Sequence, residues 1–265
     1  MNTHTNTFKK THKNTHTLHD TTTLLGRSLR HILRSPDTII TTAITPIAML
    51  LMFVYVFGGA IDTGGAKYVN YLLPGILLIT VASGVAYTAL RLYTDTASGI
   101  FERFQSMPIA RSAVLWGHVI TSVVANLISL VLVVLVAVAI GFRSPAGIGA
   151  WLAVIGIMVL FTMAVTWLAV SAGLAAKSPD GAGAFAYPLL FLPFVSSAFV
   201  PTAGMSGPVK WFAVHQPVTS IVNTLRNLYA ERPLGNDVWT ALAWCIGLLV
   251  VAYALGVRTY QRKLA

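Results

Sequence analysis

Few side chains in this sequence are suited to catalysis. Its 265 residues include 8 acidic residues, 7 histidines and one cysteine, Cys245. Hydrolytic enzymes need an activated nucleophile or a positioned pair of carboxylates, and the sequence contains no HExxH, no GxSxG and no closely spaced carboxylate pair. A single cysteine excludes an internal disulfide and a cysteine-based metal cluster. The sequence therefore predicts a chain that is not an enzyme and has no catalytic or metal site of its own.

A glycine-rich segment with a lysine, GGAIDTGGAKYVN at residues 58–70, raises the question of phosphate binding. A P-loop places its lysine directly after the final glycine and a serine or threonine after that lysine. The spacing here does not match, and no strand is predicted before the segment. We therefore expect a flexible outer turn and no nucleotide cofactor bound by this chain.

The composition is that of a membrane protein. Hydrophobic residues make up 55% of the chain and charged residues 10%, whereas soluble domains carry about 25% charged residues. A bilayer-spanning helix needs about 20 mostly apolar residues. The sequence predicts an all-α, polytopic fold with six such spans, at residues 39–57, 71–90, 114–140, 150–176, 182–200 and 238–257. Pro188 and Pro193 weaken the fifth of them.

The positive charges alternate between the connections. Assigned to the inner side are Lys9, Lys10, Lys13, Arg27, Arg30, Arg34, Arg91, Arg103, Arg111, Lys177, Arg258, Arg262 and Lys263, and to the outer side Lys67, Arg143, Lys210, Arg226 and Arg232. This excess satisfies the positive-inside rule. It explains the net charge of +10 without nucleic acid, and it predicts a cell-membrane protein of a bacterium with both termini in the cytoplasm.

Two regions precede the first span. Residues 1–21 are rich in Thr, Asn, His and Lys, which predicts a disordered cytoplasmic tail. From Thr22 to Arg34 the apolar side chains fall on one helical face, opposite Arg30, Arg34 and other basic residues. That pattern predicts an amphipathic helix in the cytoplasmic headgroup layer. We expect one transmembrane domain over residues 22–265.

The predicted spans carry no charged residue near their centres. Proton- or sodium-coupled transporters typically use an intramembrane carboxylate or a broken-helix ion site, so ion coupling loses support. His118 and Asn126 are the most polar residues of the third span. They either form hydrogen bonds between helices or contact a transported substrate.

The longest inner and outer connections differ in character. The inner one, Arg91 to Ser112, predicts a short amphipathic helix that either docks on a cytoplasmic partner or rests on lipid; its side chains include Asp95, Ile100, Phe101, Glu102, Arg103 and Phe104. The outer one, Pro201 to Asp237, is rich in proline and aromatic residues. Aromatic side chains favour the membrane interface, so we expect short re-entrant helices dipping into the outer leaflet.

Four sequence motifs, in their order along the chain, resemble those of permease subunits of type-2 ABC exporters (the ABC-2 superfamily), particularly the daunorubicin and doxorubicin resistance efflux permeases. The resemblance covers about Thr22 to the C-terminus. It rests on YLLPGI (71–76), ERFQSMPIAR (102–111), FLPFVSSAFVP (191–201) and QPVTSIVNTLR (216–226). The family often has Asn before the proline that matches Pro217, and Met-Pro in place of Gly207-Pro208.

The resemblance implies an exporter of hydrophobic or amphipathic drug-type molecules. Two permease chains, identical or related, would work with two ABC ATP-binding subunits, which hold the ATP and Mg²⁺. The Glu102 region would be the coupling helix, and Arg30 and Arg34 would belong to the same docking surface. Candidate residues of the substrate path are His118, Asn126, Phe191, Phe194 and Phe199. Two alternatives stay open: export of a lipid-linked polysaccharide or another lipid, and secondary transport without an ATPase.

Overall fold

The computed structural model describes residues 36–61, 67–99 and 111–264, and within these ranges the chain is helical and contains no strand. The helices are α1 (Pro36–Met52), α2 (Tyr68–Ala97), α3 (Arg111–Ala139), α4 (Ile148–Ala175), α5 (Pro179–Ala184), α6 (Ala186–Phe191), α7 (Gly207–His215), α8 (Pro217–Tyr229) and α9 (Asp237–Leu264). The predicted all-α class is confirmed for the described part of the chain. The predicted N-terminal tail and amphipathic helix lie outside the described residues.

Four helices, α2, α3, α4 and α9, are long and apolar enough to cross a membrane. They contain 28 to 30 residues, or about 42–45 Å at 1.5 Å per residue. The hydrocarbon core of a bilayer is about 30 Å thick. The second, third, fourth and sixth predicted spans are thus confirmed as helices of spanning length. Each exceeds the membrane core by two or three turns.

The first predicted span is a shorter apolar helix. Helix α1 contains Pro46 and continues into one π-helical turn, Phe53–Phe57. A π turn widens the helix and rotates the side chains that follow it, and such turns often occur at functional sites. Helix α1 packs on α2 and α3, so one face of α1 belongs to the helix bundle.

The fifth predicted span is not one continuous helix. Residues 179–195 form α5, α6 and a 3-10 turn, Leu192–Val195. Pro188 lies inside α6 and Pro193 in the 3-10 turn, and proline cannot donate the backbone hydrogen bond that would continue a helix. The segment therefore consists of short helical pieces, and two short helices, α7 and α8, follow it.

Helix α2 is the central element of the bundle. It packs against α1, α3, α4, α5 and α6, and its middle residues, from Leu72 to Ala82, are all buried. Close packing depends on glycine: a Cβ on Gly173 of α4 would lie 2.6 Å from the carbonyl oxygen of Ala89 on α2. Small residues at such crossings are typical of membrane helices.

The outward faces of the long helices are aliphatic. Exposed residues include Val131 and Leu135 on α3, Leu152 and Ile155 on α4, and Val250 and Val251 on α9. In water a surface of this kind would favour aggregation. It is the surface expected of helices surrounded by lipid.

Candidate functional site

The predicted coupling residues lie only in part within the described structure. Arg30, Arg34 and the run from Ile100 to Phe104 lie outside the described residues. Asp95 is described and occupies the last turn of α2. The predicted coupling role therefore stays a prediction. Among the predicted coupling residues, Asp95 is the one that the structure describes.

Asp95 pairs with His118. The His118 Nε2 atom lies 3.7 Å from the Asp95 Oδ2 atom, and the two side chains are 20% and 25% exposed. Arg91, one turn before Asp95 on α2, also acts electrostatically on the imidazole. Two residues that the sequence assigns to separate roles, coupling and substrate contact, thus lie together at one end of α2 and α3.

Asn126 lies inside the bundle. It is 2% exposed, and its Nδ2 atom donates to the Ser122 carbonyl oxygen at 3.0 Å. Its Oδ1 atom lies against Gly84 of α2, where an added Cβ would collide with the amide. One polar group of Asn126 is thus bonded within α3, and the other faces the neighbouring helix α2.

The three phenylalanines predicted for the substrate path lie together. Together with Phe53 and Phe57 they form a cluster of Phe53, Phe57, Phe191, Phe194 and Phe199, which we call the outer aromatic cluster after the membrane side on which the charge pattern predicts it. The Phe194 and Phe199 rings stack with centroids 4.7 Å apart and an interplanar angle of 8°, and Phe53 lies 4.8 Å from Phe199. Phe199 is buried, whereas Phe191 and Phe194 are 64% and 40% exposed. The π turn and the broken fifth segment thus present one aromatic surface.

A polar network beside this cluster was not predicted. The Arg226 guanidinium carbon lies 3.7 Å from the Tyr71 ring centroid. Its Nη2 atom donates to the carbonyl oxygens of Tyr71 at 3.1 Å and Ser197 at 2.9 Å, and its Nη1 atom donates to Asn223 Oδ1 at 3.2 Å. The Tyr71 hydroxyl donates to the same Ser197 carbonyl at 2.9 Å.

This Arg226 network joins α2, α8 and the segment after the 3-10 turn. Burial lowers the pKa of the Arg226 guanidinium, and the contact with Tyr71 opposes that shift. An arginine nevertheless stays charged in proteins. One signal was visible in the sequence: this arginine is the single charged residue of QPVTSIVNTLR.

The described residues offer no site for a metal ion. No group of three or more His, Cys, Asp or Glu side chains suited to a metal occurs among them. Cys245 is buried and 1% exposed. The geometry within these ranges is that of a helical bundle with polar contacts between helices and an aromatic surface.

The family model described as ABC-2 type transporter matches residues 19–229. The chain belongs to this family. The match includes the described helices from α1 to α8 and the connection that carries the predicted coupling residues. The resemblance inferred from the four sequence motifs is thereby confirmed, and the protein is an ABC-2 permease.

Several curated relatives are similar over most of their length. The daunorubicin resistance ABC transporter permease protein DrrB1 of Streptomyces coeruleorubidus is 29% identical over 250 residues, which cover 92% of this chain and 86% of the relative. The probable doxorubicin resistance permease DrrC of Mycobacterium tuberculosis (strain CDC 1551 / Oshkosh) is 23% identical, with coverage of 91% and 88%. The putative transport permease ycf38 of Porphyra purpurea is 26% identical over 215 residues, with coverage of 78% and 73%.

The matches explain the architecture. ABC-2 permeases are membrane proteins that work with ABC ATP-binding subunits, and the long apolar helices of this chain agree with that role. Membership of the ABC-2 family thus agrees with the small number of charged groups in the described interior of the bundle.

Proposed function

We propose that this chain is the transmembrane subunit of an ATP-driven exporter that moves hydrophobic or amphipathic small molecules out of the cell. The observation that carries the proposal is the family match over residues 19–229, joined to relatives named as daunorubicin and doxorubicin resistance permeases. Energy comes from a separate ATP-binding subunit, which holds ATP and Mg²⁺. Two such subunits and two permease chains complete the transporter.

The connection between α2 and α3 is the proposed route of coupling. Residues 100–110 join the inner ends of these helices, and α2 is the central helix of the bundle. A displacement of the connection would therefore reach the core directly. Glu102, Arg103 and the neighbouring Ile100, Phe101 and Phe104 supply the docking surface, and Arg30 and Arg34 contribute to it.

The outer aromatic cluster is the proposed substrate contact. Phe191 and Phe194 expose aromatic surface next to Phe53 and Phe57. Aromatic rings bury a large apolar area and add a preference for other rings. Such a surface suits a hydrophobic or amphipathic molecule that arrives from lipid between two permease copies.

The proposed membrane arrangement has six crossings with both termini in the cytoplasm. Four are α2, α3, α4 and α9; the other two are α1 with its π turn and the broken segment from α5 to the 3-10 turn. Helices α7 and α8 are the proposed outer re-entrant helices, and residues 22–34 the interfacial helix. Thirteen Lys and Arg residues on the inner side against five on the outer side support this orientation.

The test is co-expression with the ATP-binding protein encoded nearest to this gene. We expect the two proteins to copurify from detergent and amphipathic drugs to stimulate ATP hydrolysis. Reversal of both charges, Glu102→Lys with Arg103→Glu, should weaken association at least about tenfold, or 1.4 kcal/mol. The matched control is Lys177→Glu with Asp180→Lys, two exposed charges on the proposed inner side.

The outcomes separate the alternatives. Stimulation by glycolipids and not by drugs would indicate a lipid or polysaccharide exporter. Substrate transport by the purified chain without any ATP-binding protein would indicate a secondary transporter. Equal association of the reversed and control variants would contradict the coupling role of the Glu102 region.

A further inference from the structure

Polar side chains form a stripe along one face of α3. His118, Ser122, Asn126 and Ser129 follow one another at intervals of four, four and three residues, which places them on the same side of a helix. Residues 118 to 129 span about 16 Å along the axis at 1.5 Å per residue. In a membrane helix such side chains require partners on neighbouring helices.

Each member of the stripe contacts α2 or α1. His118 faces Asp95 at 3.7 Å, and the Ser122 hydroxyl is hydrogen-bonded to the Thr88 hydroxyl. Asn126 lies against Gly84. Farther along, the Ser129 and Thr42 hydroxyls are 3.0 Å apart.

The spacing on α2 matches the spacing on α3. Asp95, Thr88 and Gly84 are seven and four residues apart, so they also share one helical face. The residue numbers of the contacts fall along α2 as they rise along α3, so the two helices run in opposite directions, and the contacts run from the connection into the core. The two helices are therefore joined by one hydrogen bond between hydroxyl groups, one Asp–His contact and the close packing of one amide on a glycine.

Of these contacts, the one between Asp95 and His118 lies nearest to the connection. Asp95 lies in the last turn of α2, and His118 lies two turns after the first residue of α3. Both remain partly exposed, whereas the next contacts, at Thr88, Ser122 and Asn126, are buried. The pair thus stands between the connection and the buried part of the stripe.

We infer that Asp95 and His118 form a clamp that positions the connection at residues 100–110, so that α2 and α3 move as one unit when the ATP-binding subunit pulls on it. This inference rests on the proposed function. It makes His118 a positioning residue and not a substrate contact. Without the clamp, the ends of α2 and α3 can separate, and a displacement of the connection is lost before it reaches the buried contacts.

The first experiment is a double-mutant cycle in the copurified complex. Asp95→Asn and His118→Leu should each lower the ratio of drug-stimulated to basal ATP hydrolysis at least about fivefold. The double variant should be no worse than either single variant, because residues in contact have non-additive effects. The matched control, Lys177→Gln with Asp180→Asn, should keep the wild-type ratio. Equal ratios in all variants, or additive losses, would overturn the clamp.

The second experiment restores the contact chemically. Asp95→Cys with His118→Cys removes the pair, and a short thiol cross-linker then joins the two positions; Cys245 is buried and stays unmodified. Linking should return the stimulation ratio to within about twofold of wild type. If the pair had only a structural role, the variants would unfold at a lower temperature and the cross-linker would not restore the stimulation ratio. Thermal unfolding is therefore measured in parallel. A linked protein that stays uncoupled would contradict movement of α2 and α3 as one unit.

The proposed function and the clamp would be contradicted by different results. A wild-type chain that neither binds the ATP-binding protein nor responds to drugs overturns the proposed function and the clamp with it. A wild-type chain that responds, together with clamp variants that respond equally, overturns the clamp alone.

Discussion

Arg226 shows how one side chain can hold irregular backbone inside a membrane protein. The segment after the 3-10 turn has carbonyl groups outside any helix, and lipid cannot satisfy them. Arg226 donates to the Ser197 carbonyl and to the Tyr71 carbonyl, and its flat guanidinium covers the Tyr71 ring. A guanidinium can make these contacts at once because its donors lie in one plane.

Replacement of this guanidinium should therefore destabilise the protein. We expect Arg226→Lys to cost about 2 kcal/mol, because an ammonium keeps the charge but donates from one nitrogen and lacks the planar fork that reaches the three acceptors and covers the Tyr71 ring. The measurement is the thermal unfolding of the purified chain in detergent. Arg232→Lys, at an exposed position one turn beyond α8, is the control and should change stability little. Similar behaviour of the two variants would show that the Arg226 contacts add nothing.

The exposed Phe194 ring makes a second prediction at the residue scale, which depends on the proposed function. Phe194→Leu keeps an apolar side chain but loses the ring face that remains open beside Phe199. An aromatic contact contributes about 0.5–1.5 kcal/mol beyond area burial. The drug concentration that gives half-maximal ATPase stimulation should therefore rise about 2- to 10-fold.

Tyr55 supplies the matched control for that measurement. It lies on the π turn that carries Phe53 and Phe57 and is largely exposed, but it makes no ring contact within the described residues. Tyr55→Leu should leave the half-maximal concentration near the wild-type value. A larger effect at Tyr55 than at Phe194 would move the substrate contact away from the outer aromatic cluster.

At the scale of whole helices, the contact of α2 with α3 depends on the absence of a side chain at Gly84. An added methyl group would collide with the Asn126 amide, and the amide is surrounded by packed helices. Overpacking of this kind typically costs about 1–3 kcal/mol. Gly84→Ala should therefore lower the unfolding temperature and weaken the coupling of α2 to α3.

Gly156 of α4 is the control for this helix contact. It is exposed, and an added Cβ would meet no atom within 4 Å. Gly156→Ala should leave stability unchanged or raise it by about 0.5–1 kcal/mol, because alanine favours a helix more than glycine does. Comparable losses from the two substitutions would indicate that helix geometry, and not the Asn126 contact, sets the effect.

The long helices were predictable because hydropathy over about 20 residues is a local property of the sequence. The proline-rich fifth span illustrates the limit. Pro188 and Pro193 indicated a break in the helix, but no local feature of the sequence indicated that α5, α6 and a 3-10 turn would replace it. The site contacts are nonlocal. Tyr71 and Arg226 are 155 residues apart, so neither position alone indicates the other, and the pairing of Asp95 with His118 likewise required the packing of α2 on α3.

For the whole molecule, the six-crossing arrangement depends on whether the broken segment crosses the membrane. If it crosses the membrane, then Lys177 and Ser206 lie on opposite sides, and α7 and α8 lie outside. If it folds back, both residues lie on the same side and the count of crossings changes. Contacts with α2 favour a crossing, because the Tyr93 hydroxyl at one end of α2 donates to the Lys177 carbonyl at 3.3 Å and the Tyr68 hydroxyl at the other end donates to the Phe199 carbonyl at 3.2 Å.

Single cysteines can decide this point, because the only natural cysteine is buried. Ser98, Lys177, Ser206 and Asn236 are not buried and are replaced by cysteine one at a time. In intact cells a membrane-impermeant maleimide should label Ser206→Cys and Asn236→Cys at once, but Ser98→Cys and Lys177→Cys only after the cells are permeabilised. The parent chain, with Cys245 alone, should stay unlabelled and is the control. Labelling of Lys177→Cys and Ser206→Cys from the same side would remove the crossing of the broken segment and contradict the six-crossing arrangement.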